Sequence, residues 1–399
     1  MKKLSLYDLD LKGKRVLMRV DFNVPLTPDG RVADGTRIIN ALPSIQYILS
    51  QGASLVLMSH LGRPKGKRDE KYSLKPCAEF LAKHLDKPVA FADDCIGEEA
   101  VKKAKNLGEG EVLLLENLRF HPAEEEPDVQ NHFAEQLSTL GDLYVNDAFG
   151  TAHRAHSSTT IIASFFPGNA ATGFLMEKEV SFLSSLIQNP KRPFYAIIGG
   201  AKISSKLGVL DSILDKVDGI FIGGGMVFTF LKANGHEIGA SICDDSFLDT
   251  AKSFIAKCNE KAIRFFLPKD ILIASGVAEG AETRTVTIKE GVPEGWSGVD
   301  IGPKTVEEWQ GLLTNAATIF WNGPMGVFEI DAFASGTNSL AQILADLPSV
   351  TIVGGGDSIA AINKLELSKN FTHISTGGGA ALEYIEHGHL PGIDALTDR

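Results

Sequence analysis

The chain contains 399 residues, of which 44% are hydrophobic and 22% are charged. This composition is typical of a globular protein, and the length predicts about two domains rather than one hydrophobic core. The net charge of −11 argues against a nucleic-acid partner, because nucleic acid attracts basic surfaces.

The N-terminal region and the cysteines bear on the compartment. Residues 1–10 lack the continuous apolar core of a signal peptide, and no uncharged apolar run reaches the roughly 18 residues of a membrane-spanning helix. The four cysteines form no C-x-x-C pair and no metal-like spacing with histidine; they are Cys77, Cys95, Cys243 and Cys258. Free thiols are typical of a reducing compartment. A cytoplasmic location without membrane attachment is therefore expected.

Four apolar runs in the first half predict β-strands that end in polar or basic residues. The runs are Arg15–Val20, Ser54–Met58, Glu111–Leu115 and Asp142–Val145. Ligands of open α/β sheets bind outside the carboxyl ends of the strands. Eight of the twelve arginines precede residue 155, and arginine suits bidentate contact with phosphate or carboxylate. The pattern indicates a basic cleft for a small anion, although any single arginine is more typical of solvated surface.

Other features of the first half have ordinary structural interpretations. Thr36 is predicted to cap a helix that carries Arg37 in its first turn. His153 and His156 are three residues apart, but no carboxylate or cysteine accompanies them at the spacing of a zinc site. No G-x-S-x-G elbow is present, so a serine–histidine–aspartate triad is unsupported. The acidic run 124–126 is predicted to be a solvated loop.

The middle of the chain combines a long helix with a glycine turn. Residues 173–186 have helical spacing of apolar positions and form a candidate inter-domain helix. The apolar run Phe194–Ile198 then predicts a buried strand that leads through two glycines to Lys202 and Lys206. If that segment is helical, the two lysines share one face and the helix N-terminus favours an anion. The Walker A spacing is absent, and an ordinary amphipathic helix after a glycine turn gives a similar pattern.

Glycine-rich segments follow several apolar runs of the second half. The segments are Gly223–Gly225, Asn322–Glu329, Gly354–Ser358 and Thr376–Ala380. Alternation of strand and glycine turn predicts a doubly wound parallel sheet. Backbone N–H groups in such turns suit nucleotide phosphates, and Asp357 adds a carboxylate that could reach Mg²⁺. Tight strand-to-helix packing explains any one turn but not all four together.

These motifs carry a resemblance. Over essentially its whole length the chain resembles the phosphoglycerate kinase family. The matching segments, in the family's order, are Arg19–Pro25, Ser59–Pro64, Leu115–Phe120, Asn146–His156, Gly199–Lys206, Trp321–Glu329, Gly354–Ser358 and Ser375–Gly379. The departures are small. Gly35 stands where the family has an acidic residue, His387 where glutamate–glycine is common, and Ser297 where methionine is usual beside Gly298.

The resemblance implies an architecture and a reaction. The implied fold class is α/β, with two doubly wound parallel-sheet (Rossmann-like) domains joined by a hinge helix. The implied segments are a triose-acid domain over 1–172, the hinge helix over 173–190, a nucleotide domain over 191–380, and a segment over 381–399 that returns to the first domain. The implied reaction is reversible Mg²⁺-dependent phosphoryl transfer from 1,3-bisphosphoglycerate to ADP, giving 3-phosphoglycerate and ATP in glycolysis and gluconeogenesis. A monomer that closes for direct in-line transfer is implied.

The resemblance also assigns residues to the ligands. Those implied for the triose acid are Asp21, Phe22, Asn23, Arg37, His60, Leu61, Gly62, Arg63, Arg119 and Arg154. Those implied for ATP or ADP are Lys206, Gly298, Glu329, Gly355, Gly356, Asp357 and Ser358, with Asp357 as the Mg²⁺ ligand. Those implied for catalysis are Arg37, Lys202, Gly377 and Gly378.

The chemistry predicts that no histidine acts as a general base. In the direction of ATP synthesis the acceptor is already an ionised oxygen of ADP, so transfer needs positioning and charge neutralisation. Two alternatives belong to other classes. A binding protein that closes on an anion would not need a metal carboxylate beside paired lysines. A dehydrogenase would need the G-x-G-x-x-G dinucleotide fingerprint, which is missing.

Overall fold

The computed structural model describes residues 2–126 and 130–399, which form two compact units. Unit 1 comprises the chain up to Ser181 together with His389–Arg399, and unit 2 comprises Phe182–Gly388. In the described residues each unit contains a six-stranded parallel sheet accompanied by helices. The predicted α/β fold class is therefore confirmed.

Strand pairing in unit 1 places the four predicted strands side by side. The strands are β1 (Arg15–Arg19), β2 (Ser54–Met58), β3 (Val89–Ala92), β4 (Val112–Leu115), β5 (Leu143–Asn146) and β6 (Ala170–Thr172). Their order is β3-β4-β2-β1-β5-β6, and every pair is parallel. The helices are α1 (Thr36–Ser50), α2 (Lys75–Leu85), α3 (Gly97–Lys105), α4 (Gln130–Ser138) and α5 (Phe174–Gln188), the last of which runs on into unit 2. Since parallel strands all end at one edge, the loops after β4, β2, β1 and β5 are neighbours.

Both faces of this sheet are covered. Val16 and Met18 of β1 belong to one buried cluster, and Leu17 between them belongs to a second. Successive strand residues point to opposite faces, so a strand buried on both faces needs an unbroken apolar run. This is why β1 and β2 appear in the sequence without polar alternation.

Helix α1 begins differently from the prediction. Thr36 is its first residue rather than its cap, and Gly35 occupies the cap position without a side-chain bond. The Oδ1 atom of Asp34 accepts from the Thr36 backbone N at 2.8 Å and from the Thr36 hydroxyl at 2.6 Å. A Cβ on Gly35 would lie 2.1 Å from Cζ of Phe80. The absence of a side chain at position 35 is thus tied to the packing of Phe80.

Unit 2 contains two sheets. The strands are β7 (Phe194–Ile198), β8 (Gly219–Ile222), β9 (Arg264–Phe266), β10 (Asp270–Ala274), β11 (Thr283–Thr287), β12 (Ser297–Ile301), β13 (Thr318–Asn322), β14 (Val350–Gly354) and β15 (His373–Ile374). The parallel sheet has the order β15-β14-β13-β7-β8-β9, and β11-β10-β12 form an antiparallel sheet. The helices are α6 (Leu207–Leu214), α7 (Val227–Ala233), α8 (Leu248–Glu260), α9 (Pro303–Leu313), α10 (Ser335–Asp346), α11 (Gly356–Lys364) and α12 (Gly379–His387).

The antiparallel sheet is an addition that the apolar pattern does not predict. The first three residues of β11 are exposed polar or charged residues, so no apolar run marks this strand. Its partner β10 pairs with β12 on the other side, and Gly298 of β12 lies opposite Ile273. Within the described part of the chain, no helix is long and apolar enough to cross a membrane.

The C-terminal residues complete unit 1. They form the short helix α13 (Pro391–Asp394) and then run beside the N-terminal residues. The backbone N of Leu4 donates to the Thr397 carbonyl at 2.9 Å, and Thr397 N donates to the Ala170 carbonyl at 3.0 Å. The Leu396 side chain is 2% exposed and belongs to the buried cluster that contains Leu17. The contribution to unit 1 begins at residue 389, since α12 belongs to unit 2.

We expect Leu396→Ala to destabilise unit 1 by about 2–5 kcal/mol, because it removes a buried side chain and leaves a cavity. Urea unfolding followed by circular dichroism measures the change. Ile39→Ala is the control, because Ile39 is 44% exposed on α1. A shift for Leu396→Ala no larger than that of the control would show that the C-terminal segment does not stabilise the unit.

Candidate active site

The loops after β1 and β2 are joined by hydrogen bonds between predicted site residues. Arg37 Nη1 donates to Asp21 Oδ2 at 2.5 Å, and the Asp21 side chain is largely buried. The backbone N of Asn23 donates to Asp21 Oδ1 at 3.2 Å, and Asn23 Oδ1 accepts from Gly62 N at 2.8 Å. Phe22 is fully buried. The geometry holds one carboxylate, one amide and one guanidinium at the carboxyl edge of the sheet.

Arg119 joins the same arrangement from the loop after β4. Its Nη1 donates to the carbonyl of Gly62 at 3.0 Å, so this one glycine bonds both Asn23 and Arg119. Gly62 has φ +62°, and a Cβ there would lie 2.5 Å from the Tyr72 ring. Burial lowers the pKa of Arg119 from its usual range. Its buried Nε has no hydrogen-bond partner in the described residues, which marks a donor for a ligand.

Arg19 lies beneath these loops and fixes the tautomer of His60. Arg19 is 1% exposed, and its Nη2 lies 3.2 Å from His60 Nδ1. A guanidinium has only donors, so His60 Nδ1 accepts and the imidazole proton is on Nε2. Burial and the positive charge of Arg19 hold the pKa of His60 well below its usual value. His60 is therefore a neutral hydrogen-bond donor.

A buried carboxylate orients Arg19 through a serine. Arg19 Nε donates to Ser158 Oγ at 2.8 Å, and that hydroxyl donates to Glu124 Oε1 at 2.6 Å. Glu124 is 0% exposed in the 3₁₀ turn Pro122–Glu124. Burial raises the pKa of Glu124, and Arg19 opposes that shift. The prediction of a solvated loop is wrong for Glu124, because a run of like charges does not reveal which member points inward.

The remaining residues predicted for the triose acid differ in exposure. Arg63 and Arg154 are exposed, whereas Leu61 is buried. His156 is also buried; burial and the charge of Arg119 lower its pKa to about 3. Arg19 and Glu124 have no predicted role in ligand binding. Arg19 directly precedes the polar end of β1, but its burial required the structure.

The His60→Gln variant should keep the shape of the kcat–pH profile, because a histidine that stays neutral does not titrate in the working range. Loss of an acid limb near pH 6.5, where an ordinary histidine base becomes protonated, would contradict this. In the native protein, ¹⁵N NMR should show His60 as a neutral imidazole protonated on Nε2 at neutral pH. An imidazolium signal at neutral pH would overturn the assignment of the tautomer.

Unit 2 contains an apolar cavity of about 450 Å³ near the carboxyl ends of β7, β8 and β13. Its apolar wall includes Phe228, Ile271, Val299 and Met325. The predicted residues Gly298, Glu329 and Asp357 also line it. A mostly apolar cleft with a few polar groups at its rim is typical of a small-molecule site, and this volume accommodates a nucleoside.

A second cavity of about 310 Å³ shares part of its lining with the first. The shared residues are Gly200, Ala201, Pro324 and Asp357. Residues found in the second cavity alone include Lys206, Asn322, Gly355, Gly356, Gly378 and Gly379. Helices α11 and α12 begin at two of these glycines, so their free N–H groups and dipoles favour an anion there.

The two lysines after β7 do not share a helix face. A 3₁₀ turn, Ile203–Ser205, separates Lys202 from Lys206, and α6 begins only at Leu207. The condition for a shared face, a helical segment from Lys202 to Lys206, is therefore not met. Lys202 is exposed, while burial lowers the pKa of Lys206 and Asp357 opposes that shift.

Asn322 is a further residue of this cavity that sequence reasoning missed. Lys206 Nζ donates to Asn322 Oδ1 at 2.5 Å. The Nδ2 atom of Asn322 is buried and has no partner among residues 2–126 and 130–399. An unsatisfied donor beside a lysine fits a phosphate oxygen. The available signal was the position of Asn322 at the end of β13, directly before a glycine.

Two predicted residues do not line either cavity. Ser358 is fully buried, and its Oγ accepts from the backbone N of Gly323 at 2.6 Å, so it shapes the loop after β13. Gly377 N donates to Ser375 Oγ at 3.2 Å. Neither Ser358 nor Gly377 is among the residues that line the two cavities.

The donor set suits Mg²⁺. Asp357 is exposed, lies in the first turn of α11 and lines both cavities. Mg²⁺ is commonly bound by one or two protein carboxylates together with phosphate oxygens and water. A single carboxylate beside an anion-binding glycine loop matches that pattern.

We expect Gly298→Ala to weaken nucleotide binding by roughly tenfold to a hundredfold, because overpacking costs about 1–3 kcal/mol. The added Cβ would lie 2.0 Å from Cζ of Phe228 in the cavity wall. Calorimetric titration with ADP measures the change. Gly276→Ala is the control, because a Cβ there has nothing within 4 Å. Equal ADP affinity in the two variants would remove Gly298 from the nucleotide site.

The two units together define a class of enzyme. A cluster of arginines and a neutral histidine in unit 1 suits a small anion. A nucleoside-sized cavity, a glycine-lined anion site with a lysine, and a carboxylate in unit 2 suit a nucleotide with Mg²⁺. These are the components of a phosphotransferase that acts between a nucleotide and a small anionic substrate.

Comparisons with known proteins identify the family. The phosphoglycerate kinase family matches residues 6–388. The chain is 53% identical to the phosphoglycerate kinase of Prosthecochloris aestuarii over 100% of both chains, and 50% identical to that of Fervidobacterium nodosum over 100% of this chain and 99% of the relative. The solved structure of phosphoglycerate kinase from Coxiella burnetii is similar with a TM-score of 0.87, at 40% identity and 98% coverage of each chain.

The chain belongs to the phosphoglycerate kinase family. Its activity is that of a kinase whose acceptor is a carboxyl group, in glycolysis and gluconeogenesis.

Proposed function

We propose that unit 1 binds 3-phosphoglycerate or 1,3-bisphosphoglycerate and that unit 2 binds ADP or ATP with Mg²⁺. The observation that carries this proposal is the pair of unsatisfied buried donors. One is Arg119 Nε among the arginines of unit 1, and the other is Asn322 Nδ2 beside Lys206 in unit 2. Each donor lies where a phosphate or carboxylate oxygen of the corresponding ligand would accept a hydrogen bond.

The triose acid would be recognised by charge and by hydrogen bonds. Asp21 and Asn23 offer acceptors for its hydroxyl group, and Arg119 and His60 offer donors for its carboxylate and phosphate. The exposed arginines Arg63 and Arg154 would complete the positive surroundings. Arg37 now donates to Asp21 at 2.5 Å and would exchange part of that contact for substrate oxygens. Phe22, Leu61 and Gly62 position these side chains through the packing and backbone bonds of their loops.

The nucleotide would occupy the two adjoining cavities. The base would lie in the apolar cavity beside Gly298, and Glu329 at its rim would accept from the ribose. The phosphates would lie at Lys206 and at the N-terminus of α11, where Gly355 and Gly356 present N–H groups. Asp357 would hold Mg²⁺, which neutralises phosphate charge when bound. Ser358 would act indirectly, by holding the loop at Gly323.

The chain's own contribution to transfer is electrostatic. Arg37 and Lys202 would meet the migrating phosphoryl group, and Gly378 would present its N–H group to that charge. Gly377 would have to exchange its bond to Ser375 Oγ before its own N–H could do the same. No side chain needs to take a proton, because the acceptor oxygen of ADP is already ionised. In-line transfer requires the two ligands to meet, so we propose that the units close on each other during turnover. The enzyme would act as a cytoplasmic monomer without nucleic-acid or membrane partners.

We expect Arg37→Ala to lower kcat by about 10²–10³-fold and to change the KM for ADP little, because Arg37 acts on charge that develops in the transition state. A coupled assay with 1,3-bisphosphoglycerate and ADP measures both constants. Arg31→Ala is the matched control, since Arg31 is exposed and pairs only with the nearby Asp29 in the described residues. An unchanged kcat in Arg37→Ala would remove this residue from its catalytic role.

A further inference from the structure

Three metal-ligating side chains meet in unit 1 outside the triose-acid site. Asp94 and Cys95 lie between β3 and α3, and His121 follows the 3₁₀ turn Leu118–Phe120 after β4. Since β3 and β4 are neighbours in the sheet, the two loops adjoin. One donor atom from each residue lies within 4.8 Å of the other two. His121 Nε2 and Asp94 Oδ1 are already 2.6 Å apart.

We propose that Asp94, Cys95 and His121 form a binding site for Zn²⁺ or a chemically similar borderline-soft divalent cation. A thiolate, an imidazole and a carboxylate are the three donor types that Zn²⁺ takes in proteins, and a water would occupy a fourth tetrahedral position. The soft sulfur and the nitrogen disfavour Mg²⁺ and Ca²⁺, which select oxygen ligands.

The distances allow such a cation with small movements. In a tetrahedral zinc site, neighbouring donor atoms are roughly 3.3–3.6 Å apart, from the Zn–N, Zn–O and Zn–S bond lengths. The His121–Asp94 contact would open by several tenths of an ångström, and Cys95 Sγ would approach from no more than 4.8 Å. Cys95 is fully buried, but the side chains of Asp94 and His121 are 49% and 27% exposed, so a cation can enter from their side.

The electrostatic surroundings favour a positive ion. The carboxylates of Asp94 and Glu124 both lie close enough to Cys95 to interact with it electrostatically, and their negative charge attracts a cation. The exchange of proton for metal balances. The S–H bond of Cys95 breaks, its proton passes to solvent, and the sulfur electron pair forms the bond to zinc. In the metal-free protein His121 Nε2 donates to Asp94 Oδ1, because a carboxylate only accepts. On metal binding that proton would also pass to solvent, and His121 would bind through Nε2 as a neutral imidazole whose proton is on Nδ1.

The experiment uses the full-length protein stripped of metal. Titration with Co²⁺ should give one tightly bound ion per chain with a near-ultraviolet thiolate-to-cobalt absorption band, and Zn²⁺ should displace it. Cys95→Ser should abolish the band. His121→Gln and Asp94→Asn, at partly exposed positions, should weaken Co²⁺ and Zn²⁺ binding by about tenfold or more, because each removes one ligand.

Matched controls separate this site from ordinary surface groups. Cys243→Ser and His132→Gln change a cysteine and a histidine outside the site and should leave the titration unchanged. Circular dichroism of every variant shows whether it is folded. If Cys95→Ser does not fold, the two other ligand variants decide the result. Absence of the thiolate band in the native protein would overturn the proposal, as would unchanged affinity in His121→Gln and Asp94→Asn.

Discussion

Parallel pairing of β1 with β2 on one side and β5 on the other is the constraint on which the anion site depends. The carboxyl ends of parallel strands all lie at one edge of the sheet. Residues that follow different strands are therefore neighbours in space, although they are distant in sequence. Asp21, His60, Arg119 and the loop after β5 meet for this reason. The parallel sheet of unit 2 does the same for its glycine turns, which is why the two cavities adjoin.

Several positive charges at one edge of the sheet repel one another, and burying one of them, Arg19, is unfavourable. The buried hydrogen bonds around Arg19 offset this free-energy cost. Arg19 is almost completely buried, and an unpaired buried charge is strongly unfavourable. Arg19 donates to Ser158, which in turn donates to Glu124, and Arg19 also donates to His60. The result is a positive site in which the histidine remains uncharged. Such a site attracts anions strongly while retaining a neutral donor whose orientation is fixed.

Much of the fold could be predicted because the central strands are buried on both faces. Phe194–Ile198 and Ser54–Met58 are strands with the predicted bounds, since an uninterrupted apolar run has few other structures at that length. The antiparallel sheet escaped prediction because its edge strand β11 is mostly exposed. Its pairing depends on contacts with β10, and those contacts have no periodic signature.

Residues of the candidate site could be predicted from the sequence where they lie just after a strand. They could not be predicted where their role depends on burial. His60 lies two residues after β2, and Asp357 lies in the first turn of α11, three residues after β14. The burial of Arg19 and Glu124 depends on which way a short turn faces. Lys202 and Lys206 are spaced for a helix, but the glycine at 200, with φ +135°, precedes a 3₁₀ turn instead. Spacing alone therefore did not predict the local geometry of this segment.

The C-terminal residues make unit 1 discontinuous in sequence, and this has a consequence for biosynthesis. Ala170 and Leu4 bond to Thr397, which leaves the ribosome only after all of unit 2. Unit 2 is continuous in sequence, so all of its residues are available before synthesis ends. Unit 1 lacks its last eleven residues, and the hydrogen bonds that they make, until the whole chain has been synthesised. Domains usually fold in the order of their synthesis. In this chain the first unit to emerge is the last to be completed.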